Sequence, residues 1–150
     1  MLDVSRRRRT GTPASATAVA AVIVLALASA PVSRAQTAVP GDFGNAAPIA
    51  VTLTSYEINP SQLTLTHGVA YRLHLTNASG KAHNFAAPKL FAASSIAPAD
   101  QSKIEDGKIE VGGGESVDVA FVPTTPGEYD VRCTHFMHSV LGMHAKAVVR

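Results

Sequence analysis

Residues 126–133 read PGEYDVRC, a Pro-Gly turn followed by a run in which charged side chains and bulky or sulfur-bearing ones alternate without a break. Side chains on an extended strand point to opposite faces with a period of two, so Tyr129, Val131 and Cys133 share one face and Asp130 and Arg132 the other. The first set faces a core, and Cys133 therefore leaves the strand from the buried side, at its end, with the following loop free to fold over it. The same alternation, rich in β-branched residues, recurs in IAVTLTSY (49–56), QLTLT (62–66), VAYRLHLTN (69–77), KIEV (108–111), SVDVAFV (116–122) and AKAVVR (145–150). Turn signals at Asn59-Pro60, His67-Gly68, Gly112-Gly113-Gly114 and Thr125-Pro126-Gly127 punctuate these runs. Only PKLFAASS (88–95) reads as helical, with proline at its start and good helix formers behind. Seven or eight short strands in about 100 ordered residues predict an all-β fold: an antiparallel Greek-key sandwich with one short helix near 88–95.

Upstream, residues 1–35 have the parts of an export signal: the basic run Arg6 to Arg9, the apolar run AVAAVIVLALA (18–28), and small residues leading to a cleavage point after Ala35. The apolar run is short for a membrane span, so no span is expected once the signal is removed, and the expected compartment is the periplasm. Ser5-Arg6-Arg7 matches part of a twin-arginine signal but lacks the apolar residues that should follow, so the sequence does not choose between the two export routes. Removal takes away five of the 13 basic residues and one of the 11 acidic ones, leaving eight against ten and a net charge of about −2. The basicity of the whole chain thus belongs to its leader and gives no support to nucleic-acid binding. Residues 36–48 (QTAVPGDFGNAAP) read as a flexible lead-in, and 49–150 as one domain, too small for two cores and expected to be monomeric.

A single cysteine cannot form a disulfide within the chain, and a free thiol in an oxidising compartment needs protection. Its surroundings suggest the means. CTHFMHSVLGMH (133–144) holds that cysteine, three of the six histidines and two of the three methionines. Thiolate, imidazole and thioether together narrow a metal site toward copper. Cys133, His138 and Met143 can curl around one ion, with Gly142 easing the backbone before the methionine. A second imidazole would come from elsewhere, and KAHNFAAP (81–88) offers His83.

With HNF at 83–85, and PGEYDVRC running on to Met143, the chain resembles the small blue copper proteins of the cupredoxin family. The resemblance covers most of residues 49–150. It implies His83, Cys133 and His138 as in-plane ligands of one copper ion per chain cycling between Cu(I) and Cu(II), and Met143 as a weak axial ligand. It also implies that Asn84 ties the His83 segment to the ligand loop by hydrogen bonding. Four residues lie between Cys133 and His138 and four between His138 and Met143, a spacing similar to that of rusticyanin and longer than the two-residue Cys-to-His gap of plastocyanin-like members.

His135 is the rival in-plane ligand, being closer to Cys133 and of the same parity; His138 is preferred because the longer loop can wrap the ion and bring Met143 into place. His144 reads as a solvated strand end, His74 as pointing away from the core and His67 as a turn residue. Met137, Val140 and Leu141 form either an apolar patch beside His138 or the packed underside of the loop. The expected role is a one-electron carrier with a transient redox partner, and copper buffering or delivery to a copper acceptor is the alternative. No enzyme is expected, because Met143 would fill the fourth metal position and no carboxylate base is evident nearby.

Overall fold

The computed structural model describes residues 42–138 and 140–150. The expected export signal and residues 36–41 of the lead-in lie outside the described residues. One sheet contains β1 (Ala47–Thr54), β2 (Glu57–Asn59), β4 (Tyr71–Asn77), β6 (Ser94–Ile96) and β8 (Ser116–Pro123), in the order β2-β1-β4-β8-β6. The other contains β3 (Gln62–Leu65), β5 (His83–Ala86), β7 (Lys108–Val111), β9 (Gly127–Arg132) and β10 (His144–Val149), in the order β3-β10-β9-β5-β7. A short helix, α1 (Pro88–Ala92), and a 3-10 turn at Pro98–Lys103 sit between the sheets' strands in sequence.

Alternation converts directly into layers. In β4, Leu73 and Leu75 are buried while Arg72 and His74 face solvent; in β9, Val131 is buried between exposed Asp130 and Arg132. The inner faces meet through Leu53, Leu73, Leu75, Val119 and Phe121 from one sheet and Phe85, Ile109, Val131 and Ala147 from the other. Full burial of a side chain of the larger kinds is worth about 1.5–3 kcal/mol, so this shared layer dominates the stability. Phe91 of α1 joins the two, its ring 6.1 Å from Phe85 and 6.4 Å from Phe121.

The all-β sandwich is as expected, and its details differ in three ways. The described residues form ten strands rather than seven or eight, because β2, β5 and β6 are short or carry no alternation; all four residues of β5 are buried. The sheets are mixed rather than antiparallel. β1 pairs with β4 in parallel, Ala47 opposite Tyr71 through Leu53 opposite Asn77, and β10 pairs with β3 in parallel. Parallel neighbours need a crossover, and here the chain provides it by visiting the opposite sheet, through β3, between β1 and β4. The helix stops at Ala92. Ser94 to Ile96 pair with Pro123 to Phe121 of β8, so strand pairing overrides local helix propensity.

β1 and β4 run in the same direction and end at one pole, where Asn77 Nδ2 donates to Val111 O at 3.0 Å and Val111 pairs with His83. β10 begins at this pole with His144 opposite Arg132 and runs away from it to Val149 opposite Gly127. Ala47 and Val149 thus lie at the far pole, and the loop between β9 and β10 closes the near one.

Candidate metal centre

Among the described residues, 133–138 and 140–143 carry no regular secondary structure beyond turns, and backbone bonds close the segment into a loop. Cys133 N–H donates to Met143 O at 3.1 Å and Met143 N–H to His138 O at 3.0 Å, while His138 N–H donates to His135 O at 3.1 Å. The first two bonds bring both ends of the loop and its middle together. Gly142, at φ +106°, supplies the left-handed backbone needed before Met143, and Met137 adopts φ +64°, a region that costs a non-glycine residue about 1 kcal/mol or more.

The loop brings three donors to one point. Cys133 Sγ lies 3.4 Å from His138 Nδ1 and 3.9 Å from His83 Nδ1, and the two Nδ1 atoms are 3.1 Å apart. A point equidistant from three atoms so separated is about 2.0 Å from each, the length of a metal–imidazole bond. Cys133 and Met143 are fully buried and His83 nearly so, whereas His138 is partly exposed. His83 reaches the cluster from the start of β5. Burial, and secondarily the charges of His138 and His135, holds its pKa below the ordinary histidine value, which favours the neutral ring that a metal requires. Its Nε2 is the buried side-chain polar atom left without a hydrogen-bond partner among the described residues, so the ring's polar contacts all run through Nδ1 toward Cys133 and His138.

Around the donors lies a polar frame. Buried Asn84 accepts from Thr134 N–H at 2.8 Å and donates through Nδ2 to Thr134 Oγ1 at 2.9 Å and to Glu110 Oε1 at 2.8 Å. It therefore ties β5 to the residue after Cys133. Burial pushes the Glu110 carboxyl up, but the bonds from Asn84 and His135 and the charges of His135 and Lys108 outweigh it, and the group stays below its ordinary value. His135 does not join the cluster; its Nε2 turns to Glu110 Oε2, 3.0 Å away, and its ring stacks on His138 with centroids 5.6 Å apart. Tyr56, in the β1–β2 turn at φ +70°, meets the His138 ring edge-on at 5.5 Å.

Sequence reasoning missed Tyr56, Glu110 and Asn77. Asn77 donates to Lys81 O and Val111 O and accepts from Ser79 N–H, fixing the turn that leads into His83. Its place at a strand end before Ala-Ser-Gly is a turn signal; nothing in the sequence marks the other two. His144 is an exposed strand-end residue, His67 an exposed turn residue, and His74 lies on an exposed face beside Asp118 and Thr76. Phe136, Met137, Val140 and Leu141 are exposed by 89%, 45%, 75% and 52%, so the loop presents an apolar surface rather than a packed underside.

A family model of the cupredoxin-like domain matches residues 17–149, and the chain belongs to that family. Family and donor set together point to one copper ion per chain. Among solved structures the chain is similar to dithionite-reduced auracyanin from Roseiflexus castenholzii, with 20% identity over 70% of this chain and 98% of that one and a TM-score of 0.53. It is also similar to auracyanin B, with 21% identity over 70% of this chain and 89% of that one and a TM-score of 0.52. A multicopper oxidase from Pseudomonas thermotolerans matches at 17% identity and a TM-score of 0.58 over 75% of this chain but only 32% of its own length. At these identities the likeness is one of fold. No curated protein matches the chain by sequence.

Proposed function

We propose that the protein is an exported one-electron carrier in which His83, Cys133, His138 and Met143 would hold the copper ion. The observation that carries this reading is the convergence of His83, Cys133 and His138 donor atoms within 4.8 Å of one another in a largely buried pocket. Bound copper supplies a Cu(II)/Cu(I) couple. The protein's part is to hold the donors nearly fixed: His83 by its strand, Cys133 and Met143 by the backbone bond between them, and His138 by the rings on either side. A scaffold that keeps the same donor arrangement in both oxidation states lowers the reorganisation that accompanies electron transfer.

His138 is the partly exposed donor, and it lies beside the apolar residues of the loop, which suits brief docking of a redox partner through a small, rapidly released interface. The leader-like residues 1–35 support a periplasmic location. A second reading, copper buffering or delivery, is favoured by His135, an additional imidazole stacked on His138 at the mouth of the cluster. Addition of Cu(II) to the purified protein should give an intense visible thiolate-to-copper band and a matching electron paramagnetic resonance spectrum. Cys133→Ser should abolish the band, and its survival would falsify the ligand set. Rapid loss of copper to a stoichiometric protein acceptor, with slow electron exchange, would replace the carrier reading by the delivery one.

A further inference from the structure

Among its described residues, the loop that carries Cys133, His138 and Met143 has no strand of its own to stiffen it, so bonds made to it by rigid neighbours contribute to its order. One exposed-side carboxylate makes contact with two separate parts of this arrangement. Glu110 lies on β7 in register with Asn84 of β5. Its Oε1 accepts from Asn84 Nδ2 at 2.8 Å, and its Oε2 lies 3.0 Å from His135 Nε2.

Each contact holds part of this segment in place. An amide side chain can present its oxygen or its nitrogen to the same partner after a half-turn. Thr134 Oγ1 both donates and accepts and so tolerates either orientation, whereas the Thr134 N–H only donates and the Glu110 carboxylate only accepts, so the two together require Oδ1 toward the first and Nδ2 toward the second. Glu110 thereby reinforces the bond from the Thr134 N–H to Asn84 Oδ1, 2.8 Å long and adjacent to Cys133. On the other side, holding His135 by its Nε2 keeps the flat of that ring against His138, at 5.6 Å and an interplanar angle of 30°.

β7 does not need this carboxylate for its own place. Its inward residues Ile109 and Val111 are buried in the core and its backbone pairs with β5 along the whole strand, while the Glu110 side chain is 48% exposed. We propose that Glu110 is a positioning residue for the metal centre, a brace that holds residues 134 and 135 in the arrangement the donors require; this rests on the ligand set proposed above. The brace acts before any metal arrives, since all its partners belong to the protein.

The test compares Glu110→Ala, Glu110→Gln, His135→Ala and the double variant Glu110→Ala/His135→Ala with the unchanged protein. In the metal-free protein, amide hydrogen exchange at Thr134 is measured. In the copper-loaded protein, copper affinity is measured by competition with a chelator. Removal of a group that orients ligands commonly lowers metal affinity by about 10- to 100-fold. Glu110→Ala should show a loss of that size and faster Thr134 exchange, with little change in thermal midpoint. Glu110→Gln, which keeps an oxygen for Asn84, should restore Thr134 protection. The double variant should bind copper no more weakly than Glu110→Ala, because the His135 contact is one arm of the same brace. Thr134 exchange unchanged within twofold in Glu110→Ala, copper affinity equal to that of the unchanged protein, or losses that multiply in the double variant would each overturn the proposal. If the unchanged protein takes up no copper, the ligand set fails by itself and the Thr134 measurement still decides the brace.

Discussion

Cys133 and Met143 stand at the two ends of the loop between β9 and β10, both fully buried, and the backbone bond between them sets how far each can move. A thioether contributes weakly to a copper site but tunes its potential. Met143→Leu is nearly equal in volume and keeps the core filled, so it should retain copper while raising the reduction potential; an unchanged potential in cyclic voltammetry would count against the axial role. Much at this scale was legible. Cys133, His138 and Met143 crowd a dozen residues, and their chemistry stands out in a chain otherwise poor in such side chains. Spacing alone left His135 and His138 both open, because parity and reach pull in opposite directions. In the structure the His138 Nδ1 is 3.4 Å from the sulfur and His135 is turned toward Glu110. Tyr56 and Glu110 were invisible because their nearness to the loop depends on which strands pair and in what register, a long-range property with no local mark.

At the scale of elements, two features that hold the near pole and the 3-10 turn carry predictions of their own. The Gly112–Gly114 turn reads in sequence as a turn signal, and in the structure its middle glycine also meets a close approach. A Cβ at Gly113 would stand 2.7 Å from the Gly80 carbonyl carbon and 2.8 Å from its oxygen, in the turn that delivers His83. Gly113→Ala should therefore destabilise the protein by about 1–3 kcal/mol, measurable by chemical denaturation of the metal-free form. Asp100, in the 3-10 turn, accepts from Ala120 N–H at 2.9 Å and from Lys103 Nζ at 2.7 Å. Burial raises its pKa, but those bonds and the charges of Lys103 and Arg72 outweigh that effect and leave it below the ordinary aspartate value.

A carboxyl with a depressed folded-state pKa contributes stability that is complete above its unfolded pKa and fades as pH falls through the folded one. Asp100→Asn should cost stability at pH 7 and flatten the acid limb of the stability curve below about pH 4, by urea denaturation across pH. The elements the sequence concealed each have a physical reason. β5 is buried on all four residues and so shows no alternation, and β6 follows a helix signal that its pairing with β8 cuts short.

For the whole molecule, the loop at the near pole exposes Phe136, Met137, Val140 and Leu141, apolar residues that flank His138 in sequence. If electrons leave through that surface, two copies can also exchange electrons with each other through it. Val140→Glu should slow electron self-exchange of the copper-loaded protein by about tenfold and make it faster as salt is added, because the new charges repel and are screened. Thr125→Glu, an exposed change in the turn before β9 at the far pole, should leave the rate unaltered; equal slowing by both variants would remove the assignment of that surface.

The polarity of the strands has a practical side. β1 starts and β10 ends at the pole remote from Cys133, a strand length of about 20 Å away. Anything fastened next to Ala47 or Val149, whether a fusion partner, a lipid or an electrode surface, would grip the protein by its back. The end that carries Cys133 would then face outward, so a tethered copy of this domain could be wired in place without covering that end.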